Sequence, residues 1–111
     1  MAPVITISEP KGPFELSVGG HTIGTAQARE LVEGDYDPVL YFDPAMIDMS
    51  QFEPSTHRTH CPFKGDASYY DLVIDGKRHE NVAWTYSDPL KSVEAIKDHL
   101  GFYPVVSVSP I

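Results

Sequence analysis

The sequence predicts a mainly β fold: a small, compact, single-domain sheet or barrel-like structure with one C-terminal helix and short helical turns. Three observations point that way. Ten prolines and eight glycines interrupt 111 residues every few positions, which suits short strands and tight turns. Several short runs alternate apolar with polar residues, the period of a strand buried on one face. One stretch near the C-terminus combines helical spacing with start and stop signals.

Taken in order, Phe14, Leu16 and Val18 alternate with Glu15 and Ser17, so this segment is a strand. Gly19-Gly20 permits positive φ, and His21 to Ala26 returns as the hairpin partner. Val39 to Phe42 is a short apolar strand between Pro38 and Asp43-Pro44. Pro44 to Met49 makes one helical turn before Phe52-Glu53-Pro54-Ser55. Ala67 to Ile74 is the longest strand, ended by Asp75-Gly76, and Lys77 to His79 begins its partner. Asn81 to Tyr86 continues as a strand with Val82, Trp84 and Tyr86 on one face. The helix spans about 93–100, with Val93, Ile96 and Leu100 aligned, Ser92 as N-cap, Glu94 in the first turn and Gly101 as the stop. Phe102 to Val108 closes the fold as an edge or bulged strand, because Pro104 cannot donate to a ladder. No repeat, low-complexity tract or linker divides the chain, so residues 1–111 read as one domain.

Composition narrows the function classes. The net charge is −8, from 16 acidic and 8 basic residues, and the cations are scattered rather than massed. That disfavours a nucleic-acid partner, which normally meets a Lys/Arg footprint. It leaves room for an anion pocket built from two or three cations. No apolar run approaches the ~20 residues of a membrane span, and no charged segment leads into an apolar stretch at the N-terminus. The expectation is an acidic, soluble, cytoplasmic protein with no membrane partner. The single cysteine, Cys61, excludes an internal disulfide and a Cys-rich zinc site.

Chemistry-bearing side chains concentrate in Thr56-His57-Arg58-Thr59-His60-Cys61-Pro62-Phe63-Lys64-Gly65. As a metal site, His57, His60 and Cys61 offer two imidazoles and a thiolate, but His57 and His60 would share a face only on a helix, and Pro54 and Pro62 flank the segment closely. No metal and no cofactor are assigned. As a thiol site, Cys61 is the nucleophile, His60 or a distant histidine the base, and Lys64 the cation that favours thiolate. The alternative for Cys61 is a small buried thiol. Lys64 before a turn glycine, with Arg58 and Thr59 upstream, places donors for a carboxylate or phosphate. Its alternative is a solvated turn lysine paired with Asp66. Tyr41, Tyr69, Trp84, Tyr86 and Tyr103 form an aromatic wall, as core or as the lining of a pocket.

The order of motifs adds a resemblance. Tyr41-Phe42, Glu53-Pro54-Ser55, the block Thr59-His60-Cys61-Pro62-Phe63-Lys64-Gly65-Asp66-Ala67-Ser68-Tyr69, Ala83-Trp84-Thr85-Tyr86 with Asp88-Pro89, and Phe102-Tyr103 together resemble the family called domain of unknown function 427. The likeness runs from about Phe14 to Val108. It implies a compact, mostly β domain and no established reaction. The nucleotidyltransferase-like label sometimes given to that family implies carboxylates around Mg²⁺. The nearest counterpart is Asp35-Tyr36-Asp37, with no Gly-Ser phosphate segment before it. Where family members often have Tyr-Phe-Pro and an acidic pair, this chain has Asp43-Pro44-Ala45-Met46.

The leading reading is a small anionic-ligand pocket, binding or catalytic, centred on the Thr59–Gly65 loop. Cys61 and Lys64 are the candidate catalytic residues. Arg58, Thr59, His60, Lys64, Tyr69, Trp84 and Tyr86 are the candidate ligand contacts. One alternative is a non-catalytic interaction or structural domain whose motifs serve folding; another is a thiol enzyme using Cys61. Residue types alone leave reaction, substrate and oligomeric state open.

Overall fold

Alternating segments become paired strands wherever a turn lets the chain reverse. The computed structural model describes residues 4–111, and its strands are β1 (Ile5–Ile7), β2 (Lys11–Val18), β3 (His21–Glu33), β4 (Val39–Phe42), β5 (Phe52–Cys61), β6 (Gly65–Ile74), β7 (Lys77–Thr85), β8 (Leu100–Phe102) and β9 (Ser107–Pro110). They form one open antiparallel sheet in the order β5-β6-β7-β8-β4-β3-β2-β9, with β1 beside β3. Three 3₁₀ segments, Pro44–Met46, Met49–Gln51 and Lys91–Ile96, complete the described structure. No helix among the described residues is long and apolar enough to cross a membrane.

Two hairpins follow the expected turns. Gly19 and Gly20 have φ of +56° and +82°, and Asp75 and Gly76 have φ of +51° and +76°. Two successive left-handed residues suit a two-residue turn between twisted strands. The first two 3₁₀ segments begin at Asp43 and Asp48, whose carboxylates accept from the Ala45 and Ser50 amides.

The sheet buries both faces. On one, Leu16, Ile23, Ala28, Phe42, Leu72 and Leu100 make the larger core. On the other, Leu31, Tyr41, Ala67, Tyr69 and Tyr86 meet Val93 and Ile96 of the third 3₁₀ segment, with Ile5 and Ile7 of β1 against them. The outer strands β5 and β9 are largely exposed and polar, as free sheet edges usually are.

The helix expected over 93–100 does not form. Lys91–Ile96 is a kinked 3₁₀ segment in which Val93 leaves helical geometry (φ −122°, ψ 24°), and Leu100 and Gly101 lie in β8. Anchors at both ends explain the difference. The Leu90 amide donates to the Lys64 carbonyl and the Asp98 amide to the Tyr86 carbonyl, which leaves too few residues for a regular helix. Val93 and Ile96 still share a face because positions i and i+3 eclipse in a 3₁₀ turn. Leu100, the third member of the expected stripe, belongs to the larger core instead.

Three strand expectations also change. The longest strand is β3, of 13 residues, and not the one containing Ala67–Ile74, because the partner of β2 runs on past Ala26 to pair with β1 and β4. Val82 packs in the larger core beside Ala83, not with Trp84 and Tyr86, because Asn81 (φ +51°) sits in a bulge that offsets the alternation. The segment 102–108 is not one strand: the chain leaves β8 at Phe102, turns through Pro104, and pairs with β2 from Ser107.

Candidate functional site

The Cys-Pro-Phe-Lys-Gly stretch is the tip of the β5–β6 hairpin. Cys61 pairs with Gly65, the Lys64 amide donates to the Cys61 carbonyl at 3.3 Å, and Pro62, Phe63 and Lys64 form the loop. Gly65 has φ of +114°, and a Cβ there would lie 3.3 Å from the Asp88 carbonyl oxygen. Both facts call for glycine. The Leu90 amide donates to the Lys64 carbonyl at 2.9 Å, tying the hairpin tip to the chain after β7.

Strand alternation sorts the side chains of β5. Thr59 and Cys61 face the smaller core: the Thr59 hydroxyl bonds the Tyr69 hydroxyl at 2.9 Å, and Cys61, half-buried, packs against the Tyr69 and Tyr86 cluster. Arg58 and His60 therefore point the other way. Arg58 donates to the Ser55 and His57 carbonyls, and the His60 ring meets the Asp66 carboxylate at 2.6 Å, both exposed. The proposed base His60 and the thiol Cys61 thus lie on opposite sides of one strand.

Around Cys61 the aromatic side chains converge. Tyr69 and Trp84 are cross-strand partners, and the Trp84 indole N–H donates to the Tyr41 hydroxyl at 3.2 Å. The Tyr41 and Tyr86 rings lie 6.4 Å apart. The exposed Tyr103 ring sits 4.9 Å from Trp84, and the His57 ring 4.5 Å from Tyr69. Trp84 lies directly over Gly101, where a Cβ would come within 2.5 Å of the indole ring. Tyr69 and Tyr86 are buried and Trp84 is half-buried.

Lys64 closes one side of this group. Its Nζ lies 2.6 Å from Glu33 Oε1, with the two side chains only 13% and 15% exposed. The partners come from β3 and the β5–β6 tip, with β7, β8 and β4 between them in the sheet. The sheet must curl for them to meet. Burial opposes the Lys64 charge, but the Glu33 hydrogen bond and the nearby Cys61, Glu33 and Tyr41 groups outweigh it, and the ammonium pKa lies above its ordinary value. Burial raises the Tyr41 phenol against the pull of Trp84 and Lys64. Burial likewise drives the Tyr86 phenol far above the usual range, reinforced by Tyr41, Cys61 and Tyr69. Both phenols are therefore neutral donors at physiological pH.

Residues 6–109 match the family described as Domain of unknown function (DUF427). The chain belongs to the DUF427 family. No curated protein matches it. In this DUF427 chain the hairpin tip at Cys61, Trp84 and Tyr86, and Tyr103 meet at one place.

Of the residues singled out by sequence, Thr59, Cys61, Lys64, Tyr69, Trp84 and Tyr86 come together, while Arg58 and His60 do not. Asp35 and Asp37 lie in the exposed turn between β3 and β4. Among the described residues no group of three or more His, Cys, Asp or Glu side chains is placed to hold a metal ion. Sequence reasoning missed Glu33. The alternation of Leu31 and Glu33 on β3 hinted at its face, but no local pattern signals a partner 31 residues away.

A polar cleft of about 780 Å³ is lined in part by Ser55, His57, Arg58, Asp71 and Asn81. Bulges shape it. Ser55, Thr56 and His57 stand opposite the single residue Tyr69, and Glu80, Asn81 and Val82 opposite the single residue Asp71. Ser55 bonds Asn81 at 2.5 Å, and Asp71 accepts from the Asn81 amide at 2.8 Å, stitching the bulges together.

Proposed function

We propose that this protein binds a small anionic ligand, a carboxylate or phosphate, in the crevice bounded by Cys61, Lys64, Tyr41, Tyr69, Tyr86 and Trp84. Lys64 holds the anionic group by exchanging its Glu33 partner for the ligand. Thr59 and the phenols supply further hydrogen bonds, and Trp84 with Tyr103 supplies a stacking surface.

One observation carries this reading. Tyr86 is only 6% exposed, yet among the described residues its hydroxyl meets no hydrogen-bond partner. The one side-chain polar atom both sealed from solvent and unpaired among the described residues is Thr85 Oγ1. On this reading a ligand reaches the Tyr86 hydroxyl from the surface side, since that atom is not among the sealed, unpaired ones. A buried phenol with a free, reachable O–H is a donor waiting for an acceptor.

A second reading is structural: the Lys64–Glu33 pair and the Leu90–Lys64 backbone bond pin the curled sheet. A thermal-shift screen of small carboxylates and phosphates against wild type, Lys64→Met and Glu33→Gln separates the two. Ligand binding predicts stabilising hits on wild type that vanish in Lys64→Met and persist or strengthen in Glu33→Gln, where the lysine is released. If both variants merely melt earlier and no ligand shift depends on Lys64, the structural reading stands and the binding site is lost.

A further inference from the structure

Strands β4 and β8 are neighbours in the sheet, yet their ladder has a single residue pair, Phe42 with Leu100. On its other side β4 is paired with β3 along its full length, from Val39 to Phe42. Toward β8, Val39, Leu40 and Tyr41 have no ladder partner. The strands part there, and the gap holds a cleft of about 280 Å³ lined by Val39, Leu40, Phe42, Trp84, Phe102 and Val108.

Every one of those side chains is apolar or aromatic, so the side chains supply no charge to hold an ion. The gap is also not isolated. Val39 and Trp84 pack against the smaller core as well as lining the cleft. The Trp84 indole N–H reaches the Tyr41 hydroxyl. Val39 and Trp84 thus link the cleft to the aromatic cluster around Cys61. An apolar cavity of ~150 Å³ admits one benzene ring, so this one suits a substituted ring or a chain of about six to eight carbons.

We propose that the opening between β4 and β8 receives the apolar body of the ligand whose anionic group reaches Lys64. The ligand class is then a medium-chain or aryl carboxylate, or the matching phosphate ester, rather than a small inorganic anion. This rests on the crevice reading above and specifies its ligand. Transfer of a methylene from water to an apolar site favours binding by about fourfold.

The test is a calorimetric titration of straight-chain carboxylates from acetate to decanoate, with phenylacetate and inorganic phosphate, with emission of Trp84, the single tryptophan of wild type, as a second signal for wild type alone. For wild type, affinity should rise about fourfold per methylene to six to eight carbons and then level off, with a change in indole emission. Leu40→Trp, which fills the gap, should flatten that rise and leave acetate binding in place. Val108→Trp does the same from the partly exposed β9 side, where Val108 is 38% exposed and a larger side chain can be carried without disturbing the core. Lys64→Met should weaken every member by one common factor. Lys64-dependent binding of acetate and phosphate with no chain-length dependence would overturn the apolar opening and leave the crevice standing. A chain-length rise that ignores both tryptophan substitutions would overturn its location. Absence of binding by every member would overturn both readings.

Discussion

Gly101→Ala tests the packing on which both site readings depend. A Cβ at Gly101 would fall 2.5 Å from Trp84 Cε2 and Cζ2 and 3.0 Å from Nε1. Ordinary carbon–carbon contact is about 3.5–4.0 Å, so the indole must retreat by roughly 1 Å. Overpacking of this kind costs about 1–3 kcal/mol. The indole also carries the bond to the Tyr41 hydroxyl, whose loss adds about 1 kcal/mol. The expected destabilisation is about 2–4 kcal/mol, a fall in Tm of roughly 8–16 °C for a domain of this size. Urea unfolding followed by far-ultraviolet circular dichroism gives the stability, and native-state indole emission should shift to the red as Trp84 moves outward. Trp84→Phe in the Gly101→Ala background should recover at least about 1 kcal/mol relative to additivity, since the smaller ring clears the new methyl. Unchanged emission with a loss below about 0.5 kcal/mol, or strict additivity of the two changes, would refute the contact and with it Trp84 as a fixed wall.

Gly65→Ala should cost about 1–3 kcal/mol in urea unfolding, since φ +114° and the close Asp88 carbonyl both oppose a side chain. Gly76→Ala, at φ +76° but in open space, should cost only about 1–2 kcal/mol. Lys64, Tyr41 and Tyr86 all hold their protons more tightly when folded than their ordinary values of 10.5, 10.0 and 10.0. The unfolded chain thus binds fewer protons above about pH 10. The stability from these groups is complete below that pH and declines as pH rises toward the folded values. Urea midpoints measured from pH 8 to 11.5 should fall along this course, and less steeply in Tyr86→Phe. Thr85→Val, which removes the buried unpaired hydroxyl, should leave stability unchanged or raise it by about 1 kcal/mol in the same assay.

Local chemistry made much of the fold legible. The β2–β3 and β6–β7 hairpins follow from alternating apolar residues around Gly19-Gly20 and Asp75-Gly76, whose preference for left-handed φ acts within a few residues. The strand positions of Tyr69, Trp84 and Tyr86 were likewise readable from alternation, whereas Thr59 and Cys61 join them only through the pairing of β5 with β6. β5 was harder to read. An exposed edge strand has no buried face to impose apolar alternation, so Thr59 to Cys61 read as part of the Thr59–Gly65 loop rather than as the end of a strand.

The amino-acid order by itself determined the turns, most strand cores and the aromatic wall, all governed by interactions between near neighbours or simple strand partners. Tertiary structure decided the rest. It turned the expected helix into a kinked 3₁₀ segment by anchoring both ends to other strands. It sent Arg58 and His60 away from Cys61, and it gave Lys64 the partner Glu33 from across three intervening strands. That meeting depends on the curl of the whole sheet, the accumulated twist of every strand between the two residues, and no segment of the sequence carries it alone.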